Sequence, residues 1–459
     1  MTGPRSGSRQ TSTPANGAIA AGHPLTAQAG AGVLRQGGNA VEACIAAAFV
    51  AAVCEGPLTG PAGGGFLLVS EPEGEPVVLD CFFASPSQPL GDIEEVVVDF
   101  EGGGTQTFRV GEGSVAVPGL VAGLEEAHRR FCAWEWADLV EPALVLARSG
   151  GVELDAPRVF LHGILTEILL RSDAGKRVYG DPARVDTDDL VATLERVRDL
   201  GSRAVAELVP ELAGDLAAYR VQEHAPLQRD VLGVSVLATP SPSRGGLVVL
   251  EILEALAVCD VWSLQQEAEA VAAAYERSWP GALTGTTHIS VVDGDGRCAA
   301  LSSTLGSGSG VFRGGTQLNN MLGELDVIGA GERTPGERLP SMMTPTVVLD
   351  SGRPRLVIGS AGSVRLAGAI AQVSWRVLGG APVADAIEAP RLHVEGSTLH
   401  LEGGWGDHLV AELPPKWDVV RWDGLNLYFG GVQAVERAAD GTLRAAGDPR
   451  RGGAGLVVS

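Results

Sequence analysis

Between Asn39 and Cys54 the chain reads NAVEACIAAAFVAAVC, apolar almost without interruption. Asn39 is suited to cap a helix that starts there, because its side chain can accept a free N–H of the first turn. A helix apolar nearly all round has no face to give to water, so it must be buried. The run includes Glu42 and is too short to cross a bilayer. The chain therefore has to wrap other elements around this helix. Aromatic residues are 5% of the sequence and glycine contributes 63 positions, which predicts a core of small side chains with close backbone packing.

Other elements are legible on either side. Gly17 to Ala21 reads as a strand, and Pro24 to Gln36 as a helix closed by Gly37-Gly38. Gly60 to Gly65 is a glycine-rich loop leading into a strand from Phe66 to Ser70. No Gly-Lys-Ser/Thr follows it, so it is not a phosphate loop. Val77 to Asp80 and Val234 to Thr239 read as strands. Gly119 to Arg130 and Trp136 to Ser149 read as helices. Residues 150 to 232 read as mostly helical and polar-faced, and one long alanine-rich helical region reaches Ser278. From Thr286 onward strands and turns take over. Hairpin signals stand at Asp293-Gly294-Asp295-Gly296, Asp350-Ser351-Gly352-Arg353 and Ala439-Asp440-Gly441-Thr442. Residues 1–16 read as a disordered tail.

The formal net charge is −22, which disfavours nucleic acid and anionic membranes as partners and fits a small-molecule substrate. The polar N-terminus has no apolar signal core, so a cytoplasmic protein is expected. The six cysteines (Cys44, Cys54, Cys81, Cys132, Cys259 and Cys298) have no zinc-ligand spacing and are read as buried thiols. No metal or cofactor is expected. His-Glu-x-x-His and dinucleotide motifs are absent, and Asp293 to Gly296 lacks the glutamate that would close a calcium loop.

The segment with the most chemistry is Gly285-Thr286-Thr287-His288-Ile289-Ser290-Val291-Val292-Asp293. Thr286 to Val292 reads as a strand that returns as Arg297 to Thr304. A three-residue loop puts Thr304 opposite Thr286, and a two-residue loop puts Ser303 there. Either places a hydroxyl about 5 Å away, measured between β-carbons. A threonine hydroxyl needs a nearby base. Cutting the Gly285–Thr286 bond supplies one, an α-amine titrating near pKa ~8. The same hydroxyl can make the cut by attacking the carbonyl before it. Residue types alone also allow an ordinary threonine-rich strand with a satisfied His288.

Thr286 to Asp293 resembles the start of the small subunit of γ-glutamyltransferases, Thr-Thr-His-x-Ser-Val-Val-Asp. Further resemblances are collinear from about residue 17 to 452: His23-Pro24-Leu25, Gly37 to Val41, Gly63 to Phe66, Val117-Pro118-Gly119, Trp136-Ala137, Leu318-Asn319-Asn320, Ser341 to Thr346 and Gly447 to Arg451. The resemblance implies an α+β fold, a four-layer αββα sandwich of the N-terminal-nucleophile hydrolase type. It implies a precursor cut into a large segment (17–285) and a small one (286–459) that share one core and form a heterodimer. Thr286 is then both nucleophile and processing residue. Thr304 matches the threonine that bonds the nucleophile. Gly362 matches the first of two glycines whose N–H groups stabilise the oxyanion, and Ser363 replaces the second.

The departures from that family fall on the substrate-binding positions. In Asp80-Cys81-Phe82-Phe83, Phe82 stands where the family has the arginine that pairs with the glutamyl carboxylate, a contact no phenyl ring can make. Gly306 replaces an asparagine or serine, Met321 a glutamine, Gly323 the first residue of an acidic pair, and Met342 the second of two serines. Glu324 and Ser341 remain. Either Arg338 or Arg365 takes over the carboxylate, or the enzyme acts on another acyl amide or peptide-like substrate. The departures favour the second reading. A pseudoenzyme that keeps the fold for binding or scaffolding is the alternative from another class, against which Gly285, Thr286, Thr304 and Gly362 are all intact.

Overall fold

The computed structural model describes residues 17–100, 104–259, 261–278, 285–329 and 331–459. The tail predicted at 1–16 lies outside them. Two antiparallel sheets are stacked face to face. One has seven strands, in the order Ala454–Val458, Gly17–Ala21, Thr287–Val292, Cys298–Thr304, Gly64–Ser70, Val77–Cys81, Gln222–His224. The other has six, in the order Leu443–Gly447, Gly431–Arg437, Arg353–Ala361, Thr346–Asp350, Val234–Ala238, Leu227–Val231. The helices Pro24–Arg35 and Ala40–Cys54 pack on the outer face of the first sheet. Gly245–Ala257 and Leu366–Leu378 pack on the outer face of the second. The arrangement is α/β/β/α. The first sheet interleaves strands from before and after Thr286: Gly17–Ala21 pairs with Thr287–Val292 on one side and with Ala454–Val458 on the other.

Every residue of Ala40–Cys54 is buried. Asn39 and Glu42 cap its start reciprocally, and the Glu42 carboxylate also takes the N–H groups of Ala133 and Trp134 at 2.6 and 2.8 Å. Asp293 closes the next hairpin by accepting from the N–H groups of Asp295 and Arg297, and its other oxygen takes Ala40 N–H at 3.0 Å. One aspartate thus ties the end of the Thr287–Val292 strand to the start of the buried helix.

Four readings need correction. The long helical region before Ser278 is two helices, Gly245–Ala257 and Leu264–Ser278. Residues 150–232 are mostly helical as expected but also hold the strands Gln222–His224 and Leu227–Val231, which form the outer edges of the two sheets. Their side chains are largely exposed, so they lack the alternation that marks a half-buried strand. The strand predicted from Phe66 begins at Gly64. Cys132 and Cys259 are only half-buried, while the other four cysteines are buried. The hairpin Glu94–Phe100 with Gly104–Val110 has no counterpart in the sequence reading and stands apart from both sheets.

Candidate active site

The hairpin that carries Thr286 turns through Gly294 to Gly296 and is closed by Asp293 N–H on the Arg297 carbonyl at 3.0 Å. This is the three-residue loop. Thr287 pairs with Ser303 and His288 with Ser302. One step further along the same register Thr304 stands opposite Thr286. Side chains alternate along the strand. Ile289 and Val291 enter the core beneath the helices, and the Thr287 hydroxyl donates to Glu55 at 2.6 Å. His288 and Ser290 point the other way, toward the six-stranded sheet. The His288 ring lies where a β-carbon on Gly359 would stand, and Ser290 donates to the Gln433 carbonyl at 3.0 Å. Thr286 shares this parity and is buried.

His288 belongs to the core. Its Nδ1 is 2.8 Å from Ser302 Oγ and its Nε2 is 2.9 Å from Ser290 Oγ. Burial drives its pKa down to about 3, so the ring is neutral, with one nitrogen engaged across the hairpin by Ser302 and the other along its own strand by Ser290.

The Thr304 hydroxyl donates to the carbonyl of Gly285 and accepts the Gly306 N–H at 2.8 Å. In the uncut chain that carbonyl is the one Thr286 would attack, so a donor already sits on the oxygen where charge develops. The approach of Gly285 is equally constrained. Its N–H donates to the Gly306 carbonyl at 3.0 Å, and a β-carbon on Gly285 would lie 2.6 Å from that oxygen. Gly306 itself has φ +71°, and a β-carbon there would meet Asn320 Oδ1 at 2.2 Å. The asparagine or serine that Gly306 replaces in the family would have to displace the Asn320 side chain here. Asn320 and Glu324 instead bind the next residue, Ser307. Glu324 Oε1 accepts its N–H at 3.0 Å and its hydroxyl at 2.7 Å.

Gly362 follows Ala361, which lines the same cleft as Thr286. It has φ +124°, and a β-carbon there would stand 2.7 Å from Gly430 Cα. Ser363 has φ +58°, the left-handed conformation a glycine would adopt. Such a conformation costs a non-glycine residue about 1 kcal/mol or more. Ser363→Gly is therefore expected to raise stability by up to about 1 kcal/mol in urea unfolding and to leave turnover intact. Ser363→Val, β-branched in that region, is expected to lower both.

The other candidates lie apart from this constellation. Phe82 is buried between the sheets, stacked on Phe66 at 5.3 Å and edge-on to Phe83 at 4.9 Å. Met342 is in the same core cluster. Ser341 is buried and its hydroxyl accepts Met343 N–H at 3.1 Å. Arg338 is held by Asp80 and by the carbonyls of Phe82 and Arg220, with its guanidinium 4.4 Å from the Tyr219 ring centre. Arg365 donates to the Tyr428 carbonyl at 2.6 Å and lies 4.0 Å above that ring. Neither arginine lines the cleft.

A narrow cleft opens to solvent beside Thr286. Its walls include Glu55, Leu58, Arg158, His162, Arg450 and Arg451, none of which the sequence marked as a site residue. Glu55 is buried and accepts the hydroxyls of Thr26 and Thr287 at 2.7 and 2.6 Å. Burial raises its pKa, against the pull of Arg158. Arg450-Arg451 was visible as a motif, with nothing in the sequence to show that it reaches this cleft.

The family model for γ-glutamyltranspeptidase matches residues 26–157 and 262–458. The chain is 27% identical to the glutathione hydrolase proenzyme of Escherichia coli, over 95% of this chain and 90% of that one. It is also 27% identical to the acylase ACY 1 proenzyme of a Pseudomonas species, over 99% and 95%. The structure superposes on a cephalosporin acylase from Bacillus halodurans with a TM-score of 0.79 at 20% identity, covering 99% of both chains. With its four-layer fold and a family match on both sides of Thr286, the chain belongs to the γ-glutamyltranspeptidase family of enzymes.

Proposed function

We propose that this chain is a self-processing amidohydrolase or acyltransferase with Thr286 as nucleophile and an acyl specificity other than γ-glutamyl. The observation that carries the reading is the Thr304 hydroxyl on the Gly285 carbonyl, one residue before a buried threonine at the head of a central strand. Thr286 Oγ attacks the Gly285 carbonyl carbon, and the chain passes from amide to ester as the nitrogen takes the proton. Water then hydrolyses the ester, leaving a carboxylate on Gly285 and a free α-amine on Thr286. That amine is the base for later turnovers. Thr304 has one hydroxyl proton, committed to Gly285 before the cut and released to the nucleophile afterwards. Because the seven-stranded sheet interleaves both segments, the fragments stay together as a heterodimer.

Turnover repeats the chemistry on an external amide. Thr286 forms an acyl-enzyme, the amine leaves with the proton, and water or another amine resolves the ester. The backbone N–H groups at Gly362 and Ser363 are suited to the oxyanion. The changed specificity is supported by Phe82 packed as core, by Arg338 and Arg365 held by their own chain, and by relatives that include an acylase. Processed protein assayed on γ-glutamyl and simple acyl anilides tests it, with Thr286→Ala as the blank. Turnover of simple acyl anilides is expected. Strong turnover of the γ-glutamyl compound alone would sink the changed specificity, and no turnover of any would favour the pseudoenzyme.

A further inference from the structure

Three arginines and one carboxylate, Glu55, line the cleft at Thr286. Two of the arginines are consumed by the fold. Arg158 is paired with Asp155 and donates to the Gly22 carbonyl at 2.5 Å. Arg450 lies between Glu402 at 2.5 Å and Asp448 at 3.2 Å, and also donates to the carbonyls of Ile387 and Ala389. Glu55 is occupied by Thr26 and Thr287.

Arg451 differs. Among the described residues it makes no ion pair; Nη2 reaches the Leu427 carbonyl at 3.3 Å and buried Nε has no partner. The acid acting on it, Asp448, is already bonded to Arg391 at 2.6 Å and to Arg450. Burial, with Arg365 and Arg391 nearby, pulls its guanidinium down to about 10. A partly buried cation without an acid is costly to keep unless something else pairs with it.

Its placement is specific. The side chain runs over Gly431, where a β-carbon would stand 2.4 Å from Arg451 Cδ. Nη2 ends 3.8 Å from the position of a β-carbon on Gly362. The guanidinium therefore borders the Gly362-Ser363 turn, in the same cleft as Thr286.

We propose that Arg451 is a specificity-determining residue that binds a carboxylate carried by the substrate. This rests on Thr286 as the nucleophile. The carboxylate is on either the acyl chain or the leaving amine, and in both cases a planar guanidinium offers it paired donors. The family arginine lost at Phe82 is thus answered from the far end of the chain.

The test uses the processed enzyme and pairs of anilides. Succinyl and glutaryl anilides are compared with butyryl and pentanoyl anilides, and simple acyl aminobenzoates with the uncharged acyl anilides. Wild type is expected to prefer the charged member of one pair at least tenfold in kcat/KM, and the pair that responds identifies the side. Arg451→Gln is expected to bring that ratio close to one, mainly through KM, and Arg451→Lys to restore part of it. Glutarate binding, followed by calorimetry on wild type and both variants, needs no turnover and separates this idea from the nucleophile assignment. Binding weakened at least tenfold in Arg451→Gln supports the proposal. A ratio untouched by Arg451→Gln, or no charge preference in either pair together with no glutarate binding, overturns it.

Discussion

Thr304→Val is expected to leave the protein as one uncut chain over the time in which wild type is fully processed. Valine keeps the shape and the β-branch that suit the strand but removes the hydroxyl that bonds Gly285. Losing one preorganised donor on a developing oxyanion slows such a step about 10²- to 10³-fold. The effect goes beyond the missing donor, because the Gly306 N–H also loses its acceptor at 2.8 Å and the loop that receives Gly285 is loosened. Thr304→Ser, which restores the hydroxyl, is expected to process within about tenfold of wild type. A time course of intact mass after synthesis reads both variants. Wild-type cleavage in Thr304→Val would show that the bond to Gly285 does not contribute to the reaction.

Asp448→Ala is expected to give the largest loss of stability. Asp448 is fully buried and accepts from Arg391 at 2.6 Å, from Arg450 at 3.2 Å and from the N–H groups of Val432 and Arg450 at 2.9 and 3.0 Å. Its removal leaves Arg391 without an ion-pair partner among the described residues and weakens the set around Arg450. Breaking a buried pair from one side costs about 3–5 kcal/mol. The urea midpoint should fall by that loss divided by an unchanged slope m. A loss under about 1 kcal/mol would mean the arginines find other partners. The pH dependence has a definite sign. Burial pushes the Asp448 carboxyl up, but Arg391 and Arg450 outweigh it and hold the group below the ordinary aspartate value near 4. Its contribution is fully present above that value and is lost as pH falls through the lower folded value. The gap between wild type and variant should therefore narrow on strong acidification.

Much of this arrangement could be read from residues. The Asn39 cap and the apolar run gave the buried helix to within a residue of its ends, because backbone chemistry and patterning agreed there. The Asp293 to Gly296 turn gave the hairpin, leaving two registers, and the structure selects the one with Thr304 opposite Thr286. The sequence showed that Phe82 cannot do the work of an arginine. It could not show that Phe82 turns into the layer between the sheets, since the face a side chain takes there depends on partners far along the chain, such as Phe66. The edge strands Gln222–His224 and Leu227–Val231 were missed because pairing, and not pattern, makes them strands. Glu55, Arg158 and Arg451 were missed for a related reason. They come from a helix end, another helix and a C-terminal turn, and only the fold brings them to one cleft.

The central claim is that Thr286 is the processing residue and the nucleophile, and the mass of the purified chain tests it most directly. Wild type is expected to separate on denaturation into pieces of 285 and 174 of its 459 residues, the smaller beginning at Thr286, while Thr286→Ala stays whole. A single uncut chain in both proteins, or the same two pieces in both, would contradict the account.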